Sequence, residues 1–142
     1  MNLIAVTPEF SIAAGMGTKD APRVAAQGFA SVVGLLPDGD ADGVKDSDLM
    51  RAGVAAEGMA FTHLPVVIGL ITRQEIRAFA RALAAAEGPV LAYCHSGVRA
   101  ILMWALAKRE ELGEATVVAL AESAGFDIAD YLEEDSEALL VA

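Results

Sequence analysis

The chain has 142 residues and a single cysteine, with 55% hydrophobic and 21% charged residues; this is a one-domain length, with composition suited to a packed core and unlike a disordered chain. Ten Lys and Arg against 20 Asp and Glu give a formal charge of -10, which argues against broad nucleic-acid binding and against an anionic membrane surface, since both need a cationic face. One cysteine excludes an internal disulfide framework and any multi-cysteine zinc site.

Short apolar runs alternate with helical stretches. Residues 2–6 and 10–13 read as strands, and Gly15-Met16-Gly17 as a turn. Thr18 or Asp20 can cap a helix to about Gln27, with Pro22 in its first turn. Residues 31–36 read as a buried strand, because Val32, Val33, Leu35 and Leu36 leave no polar face. The acidic stretch 37–43 is turn-rich. A helix is predicted over 46–57 and a strand over 60–65, followed by an apolar loop holding Gly69. Thr72 with Glu75 fits a capping box and opens a helix to about Glu87. Gly88-Pro89 stops it, 90–93 is a strand, and Arg99 starts a long apolar helix containing Trp104. Two more helical stretches follow Gly113.

This alternation predicts an α/β fold with a mostly parallel central sheet and helices on both faces. The crevice of such a sheet lies beyond the carboxyl ends of its strands. The residues after Tyr93 sit at such an end.

That segment, Ala92-Tyr93-Cys94-His95-Ser96-Gly97-Val98-Arg99-Ala100, runs from a buried strand through a cysteine and a short loop to an arginine at a helix start. Successive backbone N–H groups in a tight loop can converge on an anion, and the helix adds its positive end. A cysteine in that field has a stabilised thiolate. Gly97 permits backbone angles that a side chain would forbid, and Arg99 can hold two oxygens of an oxyanion at once. The plainer alternative is a buried structural cysteine before an ordinary helix.

Cys-x-x-Gly-x-Arg after a strand resembles the cysteine phosphatases, with loops of the form Cys-x-x-Gly-x-x-Arg, and the rhodaneses, with loops such as Tyr-Cys-Arg-Ser-Gly-x-Arg-Ser. A wider set of motifs is Gly28-Phe29, Val32-Val33, Pro37-Asp38-Gly39, Pro65-Val66-Val67, Thr72 to Ile76, Ala92-Tyr93-Cys94 and Trp104-Ala105-Leu106. Across about 10–127 the chain resembles the beta-lactamase-hydrolase-like protein, phosphatase-like domain family. The resemblance implies a single phosphatase-like domain over 1–142 with a cysteine-phosphatase, dual-specificity-like fold. It implies a catalytic Cys94, an anion-binding loop of His95, Ser96, Gly97, Val98 and Arg99, and Arg99 as the oxyanion clamp. Bacterial relatives occur alone or joined to metallo-β-lactamase-like and sulfide-metabolising modules.

The chain departs from the phosphatase pattern in three ways. Four residues separate Cys94 from Arg99, one fewer than in phosphatases. A ring of that size suits a single sulfane sulfur. Ala100 replaces the hydroxyl residue that helps release the thiolate. The loop Val66-Val67-Ile68-Gly69-Leu70 offers no general acid, a contribution of about 10²–10⁴-fold. Asp38, Asp40 and Asp42 can supply an acid from the preceding turn, or simply form a solvated acidic loop. The family often carries Arg at the position of Leu36, so a second anion contact is missing.

Three functions stay open. The first is a cysteine-dependent phosphatase-like hydrolase with Cys94 as nucleophile. The second is a sulfurtransferase carrying a Cys94 persulfide, in sulfide or persulfide metabolism. The third is an anion-binding or interaction module that has lost catalysis. The expected partner is a small anionic, phosphorylated or persulfidated molecule, with no cofactor. His63 reads as a structural histidine and His95 as a loop residue facing solvent, so no metal site is expected. No transmembrane or secretory segment is visible, so the expected location is the cytoplasm.

Overall fold

The structure, a computed structural model, describes residues 1–38 and 46–134. Strand β1 (Asn2–Thr7) turns back antiparallel into β2 (Phe10–Ala14). A 3-10 turn at Thr18–Asp20 leads into α1 (Ala21–Ala26), then β3 (Ser31–Gly34), α2 (Asp46–Ala56) and β4 (Ala60–His63). Next come α3 (Arg73–Ala85), β5 (Val90–Cys94), α4 (Val98–Leu112) and α5 (Glu114–Ser123), with a further helical stretch over 129–134.

The five strands lie in the order β1-β2-β5-β3-β4. All pairings except the β1–β2 hairpin are parallel, so the sheet is mostly parallel, as its strongly apolar strands require. β5 is central and every one of its residues is buried.

Alternation along the strands divides the core. Phe10, Ile12, Val33, Ala92 and Cys94 face α3, α4 and α5. Ala13, Val32, Leu91 and Tyr93 face α1 and α2. Trp104 belongs to the first layer, its ring stacked on Phe10 with centroids 5.9 Å apart. Among the described residues, no helix is long and apolar enough to cross a membrane.

Several elements are shorter than their apolar runs. β3 ends at Gly34, although Leu35 remains buried and donates its N–H to the Tyr93 carbonyl at 3.2 Å. β4 ends at His63, two residues before Pro65, which has no N–H to give a ladder. The predicted helix from Thr18 divides into the 3-10 turn and the six-residue α1. The capping box forms as expected: the Thr72 side chain accepts from the Glu75 N–H at 3.1 Å, and Glu75 Oε1 accepts from the Thr72 N–H at 2.9 Å.

Candidate active site

β5 delivers Cys94 to the carboxyl edge of the sheet, and the neighbouring strands hold it there. The Gly15 N–H donates to the Cys94 carbonyl at 2.9 Å. Cys94 itself is 1% exposed.

The chain then turns through His95 and Ser96, both exposed, to Gly97. Gly97 has φ of +94°, in the left-handed region, and immediately precedes α4. This geometry turns its N–H onto the sulfur, at 3.1 Å from Cys94 Sγ. A side chain is excluded twice over. The backbone angle is costly for an L-residue, and a Cβ would lie 2.8 Å from Phe126 Cζ and 3.2 Å from Ile12 Cγ2. The 15-residue helix α4 begins at Val98, one residue before Arg99, so the loop sits at its positive end. The Val98 N–H reaches Ser96 Oγ at 3.5 Å.

Arg99 is half-buried, and its Nη1 is buried without a hydrogen-bond partner among the described residues. An unsatisfied buried donor costs about 1–3 kcal/mol, and more when charged. This buried donor, one residue into α4, is left for a group that the described residues do not supply.

A cleft of about 470 Å³ opens beside Cys94 and His95. Its lining includes Tyr93, Leu36, Met50 and Gly15-Met16-Gly17, so the glycine-flanked turn read from the sequence lies at the site. Tyr93 also fixes the identity of residue 34: a Cβ on Gly34 would lie 2.5 Å from the Tyr93 hydroxyl. Burial first, then the carboxylates of Asp38 and Asp46, push the Tyr93 hydroxyl up to about 12, so it is a neutral donor throughout the physiological range.

The apolar loop after β4 folds back over the end of β3, with the Leu64 N–H on the Gly34 carbonyl at 2.8 Å and the Val66 N–H on the Leu35 carbonyl at 3.2 Å. Val66 and Ile71 are buried, while Val67 and Leu70 point outward.

Asp38 has a different engagement from that of an available acid. Its Oδ1 accepts from the Ser47 N–H at 2.9 Å and its Oδ2 from the Ser47 hydroxyl at 2.7 Å. Asp40 and Asp42 lie outside the described residues. His63 also lines the cleft, and its Nε2 is 2.7 Å from the Leu36 carbonyl oxygen. A carbonyl only accepts, so Nε2 carries the proton. Nδ1 then faces Asp38 Oδ2 at 4.0 Å. This agrees with a structural histidine, here one that anchors the 36–38 wall of the cleft. Among the described residues, no group of three or more His, Cys, Asp and Glu could hold a metal ion.

Tyr93, Asp46 and Ser47 at this site were not marked by sequence reasoning. Strand alternation does place Tyr93 on the face opposite Cys94, but which helix would meet it there is a tertiary fact.

The beta-lactamase hydrolase-like protein, phosphatase-like domain model matches residues 2–111. The chain belongs to that family. Within this phosphatase-like family, a beta-lactamase hydrolase-like protein of Xylella fastidiosa is 33% identical over 135 residues, covering 90% of this chain and 30% of the relative. The chain thus spans less than a third of that relative's length. A phosphatase candidate from Neisseria meningitidis superposes with a TM-score of 0.80 at 24% identity, covering 97% of this chain and 99% of the other. TpbA of P. aeruginosa, as a Cys→Ser variant in complex with phosphotyrosine, gives a TM-score of 0.67 at 22% identity, covering 96% of this chain and 81% of the other. At those identities the two structures establish the cysteine-phosphatase fold.

Proposed function

We propose that Cys94 is the nucleophile of a cysteine-dependent, phosphatase-like hydrolase, with the backbone of His95, Ser96, Gly97 and Val98 as the anion cradle and Arg99 as the clamp. The observation that carries this reading is the buried Arg99 Nη1, without a partner among the described residues, in the first turn of the helix that follows a sulfur already accepting a backbone hydrogen bond. A thiolate attacks phosphorus, the P–S bond forms, and the P–O bond to the leaving group breaks with its electron pair on oxygen. Water then attacks the phosphocysteine, releasing inorganic phosphate and the thiolate. The apolar loop at 66–70 and the capping role of Asp38 leave the leaving group without a donor from those two places. Aryl phosphates, whose phenolate leaving groups need protonation less than alkoxides do, are therefore the favoured class.

The test is hydrolysis of 4-nitrophenyl phosphate by wild type and by Cys94→Ser. Loss of turnover in the variant supports the assignment, and equal rates end it.

A second reading is favoured by the loop's length. With four residues between Cys94 and Arg99, the ring suits one sulfur atom. Here Cys94 attacks the outer sulfur of thiosulfate, sulfite leaves with the electron pair, and the resulting persulfide passes its outer sulfur to a thiolate or cyanide. Mass spectrometry after thiosulfate treatment decides between them: a gain of about 32 Da on Cys94 supports sulfur transfer, and no gain removes it.

A further inference from the structure

Of the cysteine loop, Cys94 and His95 line the cleft. At about 470 Å³, the space falls in the range of small-molecule sites, about 300–1,000 Å³. Its apolar lining includes Met16, Leu36, Pro37, Leu49, Met50 and Tyr93. Met16, Met50 and Tyr93 are buried within the α1–α2 side of the core and give that lining a fixed base. Leu49 is 53% exposed at the rim, where the apolar part of a ligand would remove it from water. Two methionines in one lining adapt to several apolar shapes.

Charge along this lining is unevenly arranged. Asp46 lines the cleft in the first turn of α2, and Asp38 stands 4.0 Å from His63 on the same side. Their field reaches the Tyr93 hydroxyl and, with burial, opposes formation of negative charge there. On the 3-10 turn, Lys19 and Asp20 also line the cleft, the Asp20 carboxylate accepting from the Gly17 N–H at 2.8 Å. The cleft thus meets the cysteine loop at Cys94 and His95, and its apolar side chains stand beside the Asp46 carboxylate of α2.

Building on the proposed role of Cys94, we infer that the cleft selects substrates whose transferable anionic group is carried on an uncharged apolar body, an aryl or alkyl group, and rejects carriers with a second negative charge. The anionic group meets Arg99 and the loop amides. The body lies along Met16, Leu36, Leu49 and Met50. A carboxylate on the body beside Leu49 would meet Asp46, three residues earlier in α2, and lose hydration against a like charge.

Titration calorimetry of the wild-type chain with three non-transferable probes tests this: phenylphosphonate, 4-carboxyphenylphosphonate and inorganic phosphate. Phenylphosphonate should bind about tenfold more tightly than either of the others, from burial of the ring. Leu49→Arg, a change at the exposed rim, and Asp46→Asn should each narrow the gap between the two phosphonates to about threefold or less. Equal or tighter binding of the carboxylated probe by wild type overturns the inference, as does phosphate binding as well as phenylphosphonate, absence of phenylphosphonate binding, or a gap that neither variant moves. The measurement needs no turnover. If Cys94→Ser abolishes aryl phosphate hydrolysis but the probes bind alike, only the cleft inference fails. If wild type and Cys94→Ser hydrolyse alike while the preference holds, only the cysteine chemistry fails.

Discussion

Ser47 gives both its backbone N–H and its hydroxyl to Asp38, at 2.9 and 2.7 Å. The contact joins the end of the β3 segment to the first turn of α2, where a carboxylate also meets the positive end of the helix. Asp38 is therefore assigned as a cap rather than an acid. Asp38→Ala should lower stability by about 0.5–2 kcal/mol, the usual cost of a lost cap, measured by urea unfolding. The ratio of rates on 4-nitrophenyl and phenyl phosphate should not change. A general acid would reveal itself by a selective loss on phenyl phosphate of about 10²–10⁴-fold, and that outcome would return Asp38 to the catalytic set.

Much of the scaffold is legible in the sequence. Hydrophobic runs without polar faces marked β3 and β5 as buried, and Thr72 with Glu75 marked the start of α3. The strand-cysteine-loop-helix segment marked the candidate site because its chemistry is local: sulfur, glycine and arginine lie within six residues. The partners that complete the site are distant in sequence. Ser47 meets Asp38 from nine residues away, and Phe126 closes over Gly97 from the segment after α5. An acidic turn looks the same in sequence whether its carboxylates face water or cap a helix. The folded chain alone distinguishes these for Asp38, and Asp40 and Asp42 fall outside the described residues.

Gly97→Ala separates backbone conformation from packing. Holding φ of +94° with a side chain costs about 1–3 kcal/mol, and the new methyl must displace Phe126, 2.8 Å away. The variant should be less stable by at least that amount and hydrolyse aryl phosphate at least about tenfold more slowly, because a shifted Gly97 N–H no longer reaches Cys94 Sγ. Adding Phe126→Ala relieves the overlap without restoring the backbone angle. The double variant should remain slow, and recovery of full rate would show that packing, rather than the N–H on the sulfur, matters.

Arg99 is expected to trade stability for binding. Arg99→Met keeps much of the side-chain length and removes the buried Nη1 that has no partner among the described residues. Sulfate affinity should fall by about 1.5–3 kcal/mol, the value of hydrogen bonds to a charged group. The unliganded protein should be as stable as wild type or more so, since no satisfied interaction is lost. Arg99→Lys should recover little affinity, because an ammonium cannot present two parallel N–H groups. Titration calorimetry with sulfate and urea unfolding read the two effects, and unchanged sulfate affinity in Arg99→Met contradicts the clamp.

Tyr93 makes alkaline stability depend on the cleft. Its hydroxyl is pushed up to about 12 by burial and by Asp38 and Asp46, against about 10 for the unfolded chain. The neutral form is thus favoured by folding. Below pH 10 both states hold the proton and the contribution is complete. Between about pH 10 and 12 the unfolded chain releases its proton while the folded chain keeps it, so stability falls as pH rises through that window. In a Tyr131→Phe background, leaving Tyr93 as the chain's sole tyrosine, absorbance near ~295 nm should report phenolate formation centred close to 12. Adding Asp46→Asn should move that midpoint downward by removing one of the two charges. A midpoint near 10 in the folded protein would mean that the hydroxyl is solvated and that the carboxylates on the α2 side exert no field on the cleft.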